Sequence, residues 1–568
     1  MLNGTDHGYW EGNIKNCPSG TLYSYQLDEK IKRPDPASKS QPQSVHGPSE
    51  VKSFEFPWTD QQYKPEPLNK WIIYELHVGT FTDKGTFEGV TEKLPHLREL
   101  GINAIEIMPV AQFPGERNWG YDGVHPFAVQ DSYGGISALQ NLVDKAHNHG
   151  IAIILDVVYN HFGPEGNYLS DYGPYFTGKY QTPWGKALNF DDAYSDAVRN
   201  YFIQNALMWL KDFHIDGLRL DAIHAIKDFG AEHFLKALSD QVVQLSTDLK
   251  KPKYLIGECD LNDVKYINPP ENGGYGIHAQ WADEFHHALH STLTGEKDGY
   301  YEDFGEMHHL KKTYADTFVY DGIYSPHRKR IFGNSARNNP PHQFVVFAQN
   351  HDQVGNRMLG ERLTELISFE GLKVGAAAYI LSPHLPFLFM GEEFAEDHPF
   401  LYFISHGDPG LVEAVRKGRA REFQAFRWKG EVPDPQSVET FNKCKLNWAF
   451  HQETKKRTLF EFYKKLISIR KTHPAFEISD RQLFDVQQPE DQKVISFRWH
   501  SAPSLWMILN FDQKLVSFEN PYPTEQFNKI FDSSEQEWLG PGSEPINSDP
   551  GLKQLNLQPQ SIVLFEKV

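Results

Sequence analysis

DGLRLDAIHAI, residues 216–226, alternates apolar and charged side chains, as a β-strand does. Side chains of a strand point to opposite faces in turn, so Leu218 and Leu220 share one face, and Arg219 and Asp221 share the other. We expect the leucines to face a covering helix layer. An arginine beside a carboxylate keeps it ionised and oriented, which is the form that a carboxylate nucleophile needs. A purely structural ion pair is the alternative interpretation.

Strand-like and helix-like segments alternate along the middle of the chain. The strand-like runs are 71–78, 103–110, 151–158, 217–223, 254–259, 280–287, 344–351 and 385–392. Helical periodicity occupies 86–101, 136–150, 197–213, 231–246 and 371–381, and the first two of these end at glycines typical of helix ends. Eight strands with helices between most of them predict an α/β fold, the (β/α)8 TIM barrel. A doubly wound open sheet is the alternative, but no Gly-rich phosphate turn follows the first strand.

The texture of the sequence predicts three domains. Residues 1–65 are short of helix signals and rich in Pro, Ser and Gly, which favours a small β-sandwich-like domain and a linker that docks on the next domain. The barrel is expected over 66–475. The irregular stretch of about 159–192 is too long for an ordinary loop, so it predicts a subdomain inserted after strand three. Strand-like runs without helices predict a C-terminal β-sandwich over 476–568.

Composition limits the classes of partner. The formal net charge of −19 argues against nucleic acid and anionic membranes, and favours a neutral polar substrate. Cys17, Cys259 and Cys444 are widely spaced and odd in number, which is typical of reduced thiols and predicts a cytoplasmic protein. We recognise no signal peptide at the start of the chain and no apolar run of membrane-spanning length.

Carboxylates follow four of the predicted strands. Asp156, Asp221, Glu258 and Asp352 lie at the ends of strands three, four, five and seven, where a barrel of this kind carries its chemistry. Two carboxylates that flank a glycosidic bond are what a glycosidase requires. Arg-paired Asp221 suits the nucleophile. Glu258 has no basic neighbour in sequence and follows an apolar run, so desolvation would keep it protonated as the general acid, and Asp352 would bind sugar hydroxyls.

Other side chains near these strand ends suit sugar binding. His161 and His351 could donate to hydroxyls; the alternative, metal ligation, is unsupported by any His or Cys spacing, so we predict neither metal nor cofactor. Tyr121 lies in a Gly-flanked loop and is a candidate stacking platform, although a loop-core tyrosine fits equally well. Trp184, in the expected insertion, is a weaker candidate of the same kind.

The motifs DVVYNH (156–161), GLRLDAIH (217–224), IGE (256–258) and NHD (350–352) resemble the four signature regions of the α-amylase family of glycoside hydrolases. The resemblance implies a (β/α)8 barrel, a subdomain after strand three, a C-terminal β-sandwich and retention through a covalent glycosyl-enzyme. It implies that Asp221 is the nucleophile, Glu258 the acid/base and Asp352 the transition-state stabiliser. Implied or expected substrate contacts are Tyr121, Asp156, His161, Arg219 and His351.

Further stretches resemble one subgroup of that family, whose members hydrolyse malto-oligosyltrehalose beside its terminal trehalose unit. They include YELHVGTFTDKGTF (74–87), RNWGYDGV (117–124), FAQNHDQVGNR (347–357) and GEEFAEDHPFLYF (391–403). The resemblance implies malto-oligosyltrehalose or a related α-glucan as substrate, and a malto-oligosyltrehalose synthase acting before this chain. A branching enzyme that transfers glucan is the alternative, and a glycan-binding relative without activity is another. The latter should lack one of the three carboxylates, and none is lacking.

Overall fold

Eight parallel strands close into a barrel in the computed structural model, which describes residues 2–183, 185–425, 432–543 and 553–568. The strands are β1 (Ile73–Leu76), β2 (Ala104–Ile107), β3 (Ala152–Val157), β4 (Gly217–Leu220), β5 (Tyr254–Gly257), β6 (Ala279–Trp281), β7 (Phe344–Phe347) and β8 (Leu385–Phe389). Each strand pairs with its neighbours in sequence, and β8 pairs with β1. The predicted (β/α)8 barrel is confirmed.

The alternation along β4 places its side chains as predicted. Leu218 and Leu220 belong to the outer core between the strands and the helices. Inside the barrel a separate apolar cluster contains Ile154, Trp281 and Phe347, all buried. Burying apolar surface on both faces stabilises such a sheet by about 25 cal/mol per Å², so the barrel rests on two cores.

Helices cover the barrel and fill the connections. They are α1 (Phe87–Glu92), α2 (Leu94–Leu100), α3 (Gly135–Asn148), α4 (Ser195–Asp212), α5 (Phe234–Leu249), α6 (Asp283–Thr294), α7 (Met307–Asp316), α8 (Phe369–Ile380), α9 (Pro409–Ala425), α10 (Val438–Lys443) and α11 (Thr454–Thr472), with shorter turns between. Gly101 ends α2 with φ of 103°, a conformation that glycine adopts without strain.

The prediction of a strand over 280–287 is wrong beyond Trp281. Strand β6 ends there, and α6 begins at Asp283. Two acidic residues, Asp283 and Glu284, occupy the first turn of this helix, a composition typical of helix starts. This local preference outweighs the apolar and aromatic texture that favoured a strand.

The N-terminal segment forms short strand pairs and then docks on the barrel. The pairs join Asn3–Gly4 to Trp10–Glu11, Leu22–Tyr23 to Ser49–Glu50, and Tyr25–Leu27 to Ile31–Arg33. Further along, Trp58 stacks on His214 at 3.7 Å between ring centroids. Asp60 accepts hydrogen bonds from Nδ1 of His147 and of His214, both at 2.8 Å. These contacts join the segment to α3 and to the loop after α4.

The segment after β3 carries a hairpin of Phe176–Thr182 and Gly185–Leu188. It contacts the N-terminal segment through Arg33, whose Nε lies 2.6 Å from Asp171. Nothing can be said of Trp184, which lies outside the described residues, so its predicted sugar contact stays a prediction.

Two antiparallel layers form the C-terminal region, as predicted for a sandwich. The strands are β9 (Phe484–Gln487), β10 (Val494–Trp499), β11 (Leu505–Asn510), β12 (Val516–Glu519), β13 (Phe527–Asp532), β14 (Gln554–Leu557) and β15 (Ser561–Lys567). Five of them form a sheet in the order β9-β10-β11-β15-β13, and β12 pairs with β14. Trp506 and Val563 from the larger sheet contact Phe518 and Leu555 from the smaller one in a shared apolar core.

Candidate active site

Arg219 joins three of the predicted carboxylates at the C-terminal end of the barrel. Its Nη1 donates to Asp156 at 2.7 Å and to Asp221 at 3.1 Å, and its Nη2 donates to Glu258 at 2.8 Å. Asp156 stands directly opposite Arg219 in the register of β3 and β4. A planar guanidinium can bond carboxylates in several directions at once, so one buried cation fixes the relative positions of three strand ends.

Glu258 is held on two sides. Its Oε2 accepts from Arg219 and, at 2.8 Å, from the backbone N–H of Ala222. Burial raises the pKa of Glu258, the nearby Asp221 carboxyl raises it further, and the Arg219 cation opposes the rise. Glu258 has no basic neighbour in sequence, but the fold brings Arg219 across to it from the adjacent strand. The expected direction of the pKa shift nevertheless holds.

Asp221 is held from the opposite side by Asn160. The Asn160 amide donates to Asp221 Oδ2 at 2.6 Å and to its backbone carbonyl at 2.7 Å. His161, the next residue, places Nε2 3.0 Å from the carbonyl oxygen of Tyr121. The motif YNH thus ties the end of β3 both to the carboxylate after β4 and to the loop after β2.

His351 is a buried cation. Its Nδ1 lies 2.5 Å from Glu75 Oε1, and its backbone N–H donates to Glu75 Oε2 at 3.0 Å. Burial acts to lower the pKa of His351, but the carboxylates of Asp352 and Glu75 outweigh it and raise that pKa to about 10. Nε2 of the protonated ring lies 2.8 Å from the Tyr121 hydroxyl, which donates in turn to Asp156 at 2.6 Å. The predicted contacts Tyr121, His351 and Asp156 therefore form one chain of hydrogen bonds.

Exposure separates the charged residues of the mouth into two sets. The side chains of Asp221, Glu258 and Asp352 are 12%, 19% and 36% exposed. Those of Asp156, Arg219 and His351 are at most 1% exposed. A substrate entering this mouth can meet the first set directly, whereas the second set lies beneath it and fixes its geometry.

Two buried glutamates under the mouth were not predicted as site residues. Glu75 holds His351, and Glu106 stands opposite Glu75 in the register of β1 and β2. Neither carboxylate oxygen of Glu106 has a hydrogen-bond partner among the described residues. Burial, aided by Glu75, raises the pKa of Glu106 well above its usual value. The signal was present, because each glutamate interrupts an apolar run just as Asp156 does.

Strand β6 and its continuation also contribute residues that sequence reasoning missed. The guanidinium carbon of Arg219 lies 4.3 Å from the centroid of the Trp281 ring, a cation–π contact. Asp283 is half-buried, and burial together with the carboxyls of Glu258, Asp260 and Asp352 raises its pKa well above the usual value. A three-residue strand leaves too little periodicity to reveal these positions.

One group of side chains outside the mouth has the composition of a metal site. Ligand atoms of Glu396, Asp397 and His398 lie within 4.8 Å of one another. Glu396 accepts from the backbone N–H groups of the other two, and Asp397 pairs with Lys456 at 2.9 Å. These bonds explain the cluster as one that stabilises the conformation of its loop.

Among the described residues, no helix is both long and apolar enough to span a membrane.

Comparisons with known proteins agree with the barrel fold. Residues 51–182 match the family described as "Alpha amylase, catalytic domain", and the fold and site define a glycoside hydrolase of the α-amylase family. A malto-oligosyltrehalose trehalohydrolase of Saccharolobus solfataricus is 51% identical over 468 residues, 82% of this chain and 80% of that protein. A malto-oligosyltrehalose trehalohydrolase of Rhizobium sp. is 41% identical over 523 residues, which are 91% of this chain and 87% of that protein. The chain belongs to the malto-oligosyltrehalose trehalohydrolase family.

A solved structure extends the similarity to the whole chain. A Salmonella typhimurium protein described as a putative alpha amylase superposes with a TM-score of 0.91 at 36% identity, covering 100% of this chain and 94% of its own. The N-terminal pairs, the barrel and the C-terminal sheets are thus shared with a known crystal structure.

Proposed function

We propose that this chain hydrolyses the α-1,4 bond next to the terminal trehalose of malto-oligosyltrehalose, releasing trehalose and a malto-oligosaccharide. The observation that carries the chemistry is the Arg219 guanidinium, which holds Asp221 and Glu258 side by side from neighbouring strands. Two such carboxyls, one poised as acid and one as nucleophile, are the requirement for glycoside hydrolysis with retention. The identity of the substrate is supported by the similarity to trehalohydrolases over most of the chain.

In the first step Glu258 gives its proton to the glycosidic oxygen while Asp221 attacks the anomeric carbon. The C–O bond to trehalose breaks, trehalose leaves with the proton, and an ester joins the sugar to Asp221. The raised pKa of Glu258 favours the acid form that this step needs. Asn160 and Arg219 hold the two oxygens of Asp221 and so aim the nucleophile.

In the second step the Glu258 carboxylate takes a proton from water, and the water oxygen attacks the anomeric carbon. The ester bond to Asp221 breaks, which regenerates both carboxyl groups. Each step inverts the anomeric carbon, so the product keeps the α-configuration. Asp352 faces the same mouth, where its negative charge stabilises the positive charge that develops on the sugar in each transition state.

The enclosed residues take positioning roles in this proposal. Asp156, Arg219 and His351 act through the side chains that they hold, while Tyr121 and His161, which are partly exposed, bind hydroxyls of the sugar that Asp221 attacks. His351 carries a positive charge at neutral pH, and a charged donor makes a stronger hydrogen bond to the Tyr121 hydroxyl than a neutral one would.

Incubation with malto-oligosyltrehalose, followed by NMR early in the reaction, tests the proposal. We expect trehalose and a malto-oligosaccharide whose new reducing end is first seen as the α-anomer. A β-anomer as first product would refute the double displacement. New α-1,6 branches would identify a branching enzyme instead, and the lack of any product would indicate a glycan-binding protein.

The proposed surroundings of the reaction are the cytoplasm and a preceding synthase. Cys17, Cys259 and Cys444 are all free thiols, which suits a reducing compartment. The substrate carries its trehalose at the end of an α-1,4 chain, so an enzyme that converts a terminal α-1,4 bond into an α,α-1,1 bond must supply it. Cell fractionation, and trehalose formation from malto-oligosaccharide only when both enzymes are present, test these two points.

A further inference from the structure

The interior of the barrel changes from apolar to charged just below the mouth. Ala104 belongs to the apolar cluster inside the barrel, and Glu106 lies two residues further along β2, so its side chain points to the same inner side. In the register of β2 and β3 it stands beside Ile154, two residues before Asp156. A buried carboxyl therefore lies inside the barrel, one layer of side chains beneath the carboxylates of the site.

The neighbour of Glu106 on β1 already carries the negative charge of this layer. Glu75 stands directly beside Glu106 and accepts from both the ring Nδ1 and the backbone N–H of His351. Neither oxygen of Glu106 has a hydrogen-bond partner among the described residues. Two adjacent buried carboxylates do not readily ionise together, and the one without a cation takes the proton. The proton of this pair therefore belongs on Glu106.

The other charged groups around Glu106 leave that assignment in place. Burial is the largest cause that raises the pKa of Glu106, and the carboxyls of Glu75 and Asp156 raise it further, whereas Arg219 and His351 oppose the rise. These four groups come from β1, β3, β4 and the turn after β7. The pKa nevertheless lies well above its usual value, in agreement with the hydrogen bonds.

Three further polar atoms in this part of the barrel are buried without a hydrogen-bond partner in the described chain: Nε of Arg219, Nε1 of Trp281 and Oδ1 of Asp156. The Trp281 ring lies 4.3 Å from the Arg219 guanidinium carbon, and Asp156 stands opposite Arg219 in the strand register. Two donors and an acceptor thus lie close to one another, near a carboxyl that can both donate and accept. Buried polar groups in such an arrangement are commonly bridged by ordered water.

We propose that Glu106 is a positioning residue that, as an uncharged carboxylic acid, supports Arg219 from below through ordered water. The inference rests on the proposed function, in which Arg219 holds Asp221 and Glu258. An ionised Glu106 would attract the guanidinium away from those two carboxyls, because opposite charges interact strongly in a buried site. An uncharged acid supports the guanidinium N–H without competing for its charge.

Two variants separate hydrogen bonding from size. Glu106→Gln is uncharged at every pH and can still donate and accept, so we expect kcat to stay within about threefold of the wild type. Glu106→Leu has a similar size but bonds no water, so we expect kcat to fall about tenfold or more at an unchanged KM. An apolar replacement of similar shape is close to neutral for stability, so the Tm should stay the same or rise. A purely structural glutamate would not combine a lower kcat with a retained Tm.

Gln280→Leu is the matched control. Gln280 is fully buried on β6, and neither atom of its side-chain amide has a partner among the described residues. It alternates with Ala279 and Trp281, which face the inside of the barrel, so its side chain points to the outer face of the sheet. This variant also replaces a buried polar group by leucine, but on the other side of the strand. We expect its kcat to equal that of the wild type.

Infrared spectroscopy tests the proton on Glu106 without any substrate. The C=O stretch of a protonated carboxyl group is separate from the bands of a carboxylate. We expect the difference spectrum between the wild type and Glu106→Gln at pH 7 to contain the band of a protonated acid. A carboxylate band in its place would overturn the inference.

The kinetic comparison can overturn it as well. A wild-type kcat in Glu106→Leu, an equal loss in Glu106→Gln, or the same loss in Gln280→Leu would each do so. If the wild type released no trehalose from malto-oligosyltrehalose, the proposed function would fail instead. The infrared difference would still decide whether Glu106 carries a proton, so the two failures are distinguishable.

Discussion

Arg219 and Glu258 lie on neighbouring strands, and Nη2 of the arginine is 2.8 Å from Oε2 of the glutamate. Burial raises the pKa of this glutamate, and the guanidinium opposes the rise. The same cation bonds Asp156 and Asp221. Its position therefore affects both the acid strength of Glu258 and the orientation of the nucleophile.

Replacing Arg219 by lysine should impair both roles. A lysine ammonium is a single point charge and lacks the planar fork through which the two Nη atoms of Arg219 bond Asp156, Asp221 and Glu258. We therefore expect kcat to fall by roughly 10²-fold or more. Loss of the guanidinium next to Glu258 lets its pKa rise further, and the basic limb of the pH–rate profile should move to higher pH. Arg416→Lys, at an exposed pair with Asp434, is the control and should change neither quantity. A basic limb that moved to lower pH would contradict this account.

Glu258→Gln should remove the basic limb itself. The acid form of Glu258 is the active one in the first step, so activity falls as the pH rises through its raised pKa. Without a proton to donate, we expect kcat/KM to drop by about 10²–10⁴-fold and to become flat on the alkaline side. Glu302→Gln, at an exposed glutamate, serves as the matched variant. Retention of the wild-type profile by Glu258→Gln would remove this residue from the mechanism.

Asp221→Asn should bind substrate but barely turn it over. An amide keeps the size of the side chain but replaces one accepting oxygen by a donating NH2 and lacks the negative charge that attacks the sugar, so we expect a loss of roughly 10⁴-fold in kcat. Calorimetry with malto-oligosyltrehalose should still show binding, and the Tm should stay within a few degrees of the wild type. Near-normal turnover would point to a different nucleophile.

A second charged network lies at the N-terminal ends of the barrel strands, and from it we predict that the stability of the protein depends on pH. His147 is buried between Asp60 and Asp216, with ring nitrogens at 2.8 and 2.9 Å. Burial acts to lower the pKa of His147, but the two aspartates outweigh it and raise that pKa. His147→Gln removes the cation that both carboxylates share, although His214 still bonds Asp60 and Lys253 lies 3.9 Å from Asp216. We therefore expect a loss of about 3 kcal/mol of unfolding free energy at pH 6, the lower end of the range for a broken buried pair.

The sign of the pH dependence follows from the direction of the shift. The pKa of His147 in the folded protein exceeds its value in the unfolded chain, which is about 6.5. The contribution of His147 to the free energy of unfolding is therefore complete below about pH 6.5 and is lost as the pH rises through the pKa of the folded state. Urea unfolding at pH 6 and pH 9 should therefore show a smaller difference between wild type and His147→Gln at pH 9. His451→Gln, at an exposed position, should show no such trend. A difference that grew towards pH 9 would reverse the assignment.

The three cysteines should differ in reactivity. Burial raises the pKa of Cys259 and of Cys444 to about 12 each, whereas Cys17 is partly exposed. Only the thiolate reacts with disulfide reagents, so a native sample at pH 8 should titrate one thiol rapidly and a denatured sample three. Cys17→Ser should abolish the rapid reaction. Fast labelling of Cys259 in that variant would show that strand β5 opens readily.

Local patterns predicted the barrel strands and the carboxylates because each pattern is contained in one strand and the residues that follow it. The alternation of Leu218 with Arg219 depends only on neighbouring residues, and the run of apolar residues before Asp156 marks a buried strand end. The bond between Arg219 and Glu258 has no such signal. It depends on the register of β4 against β5, whose members are separated by a whole helix and its loops.

Two other features were missed for different physical reasons. Strand β6 has three residues and its helix begins at once, so neither periodicity is long enough to locate the boundary. Glu75 and Glu106 interrupt apolar runs, as Asp156 does, but they lie nearer the middle of the predicted strands 71–78 and 103–110 than their ends. What local sequence could not reveal is that these two stand opposite each other under His351, which is again a matter of register.

The docking of Asp60 also bears on the order of events during synthesis. Its partner His147 follows 87 positions later and its partner His214 follows 154 positions later. At about 5–20 residues per second, the ribosome needs roughly 10–30 s to make the second partner after Asp60 itself. During that interval Asp60 lacks its His214 partner, so the segment around it cannot yet dock fully on the barrel. The segment around Asp60 can therefore complete its docking only after His214 has been made.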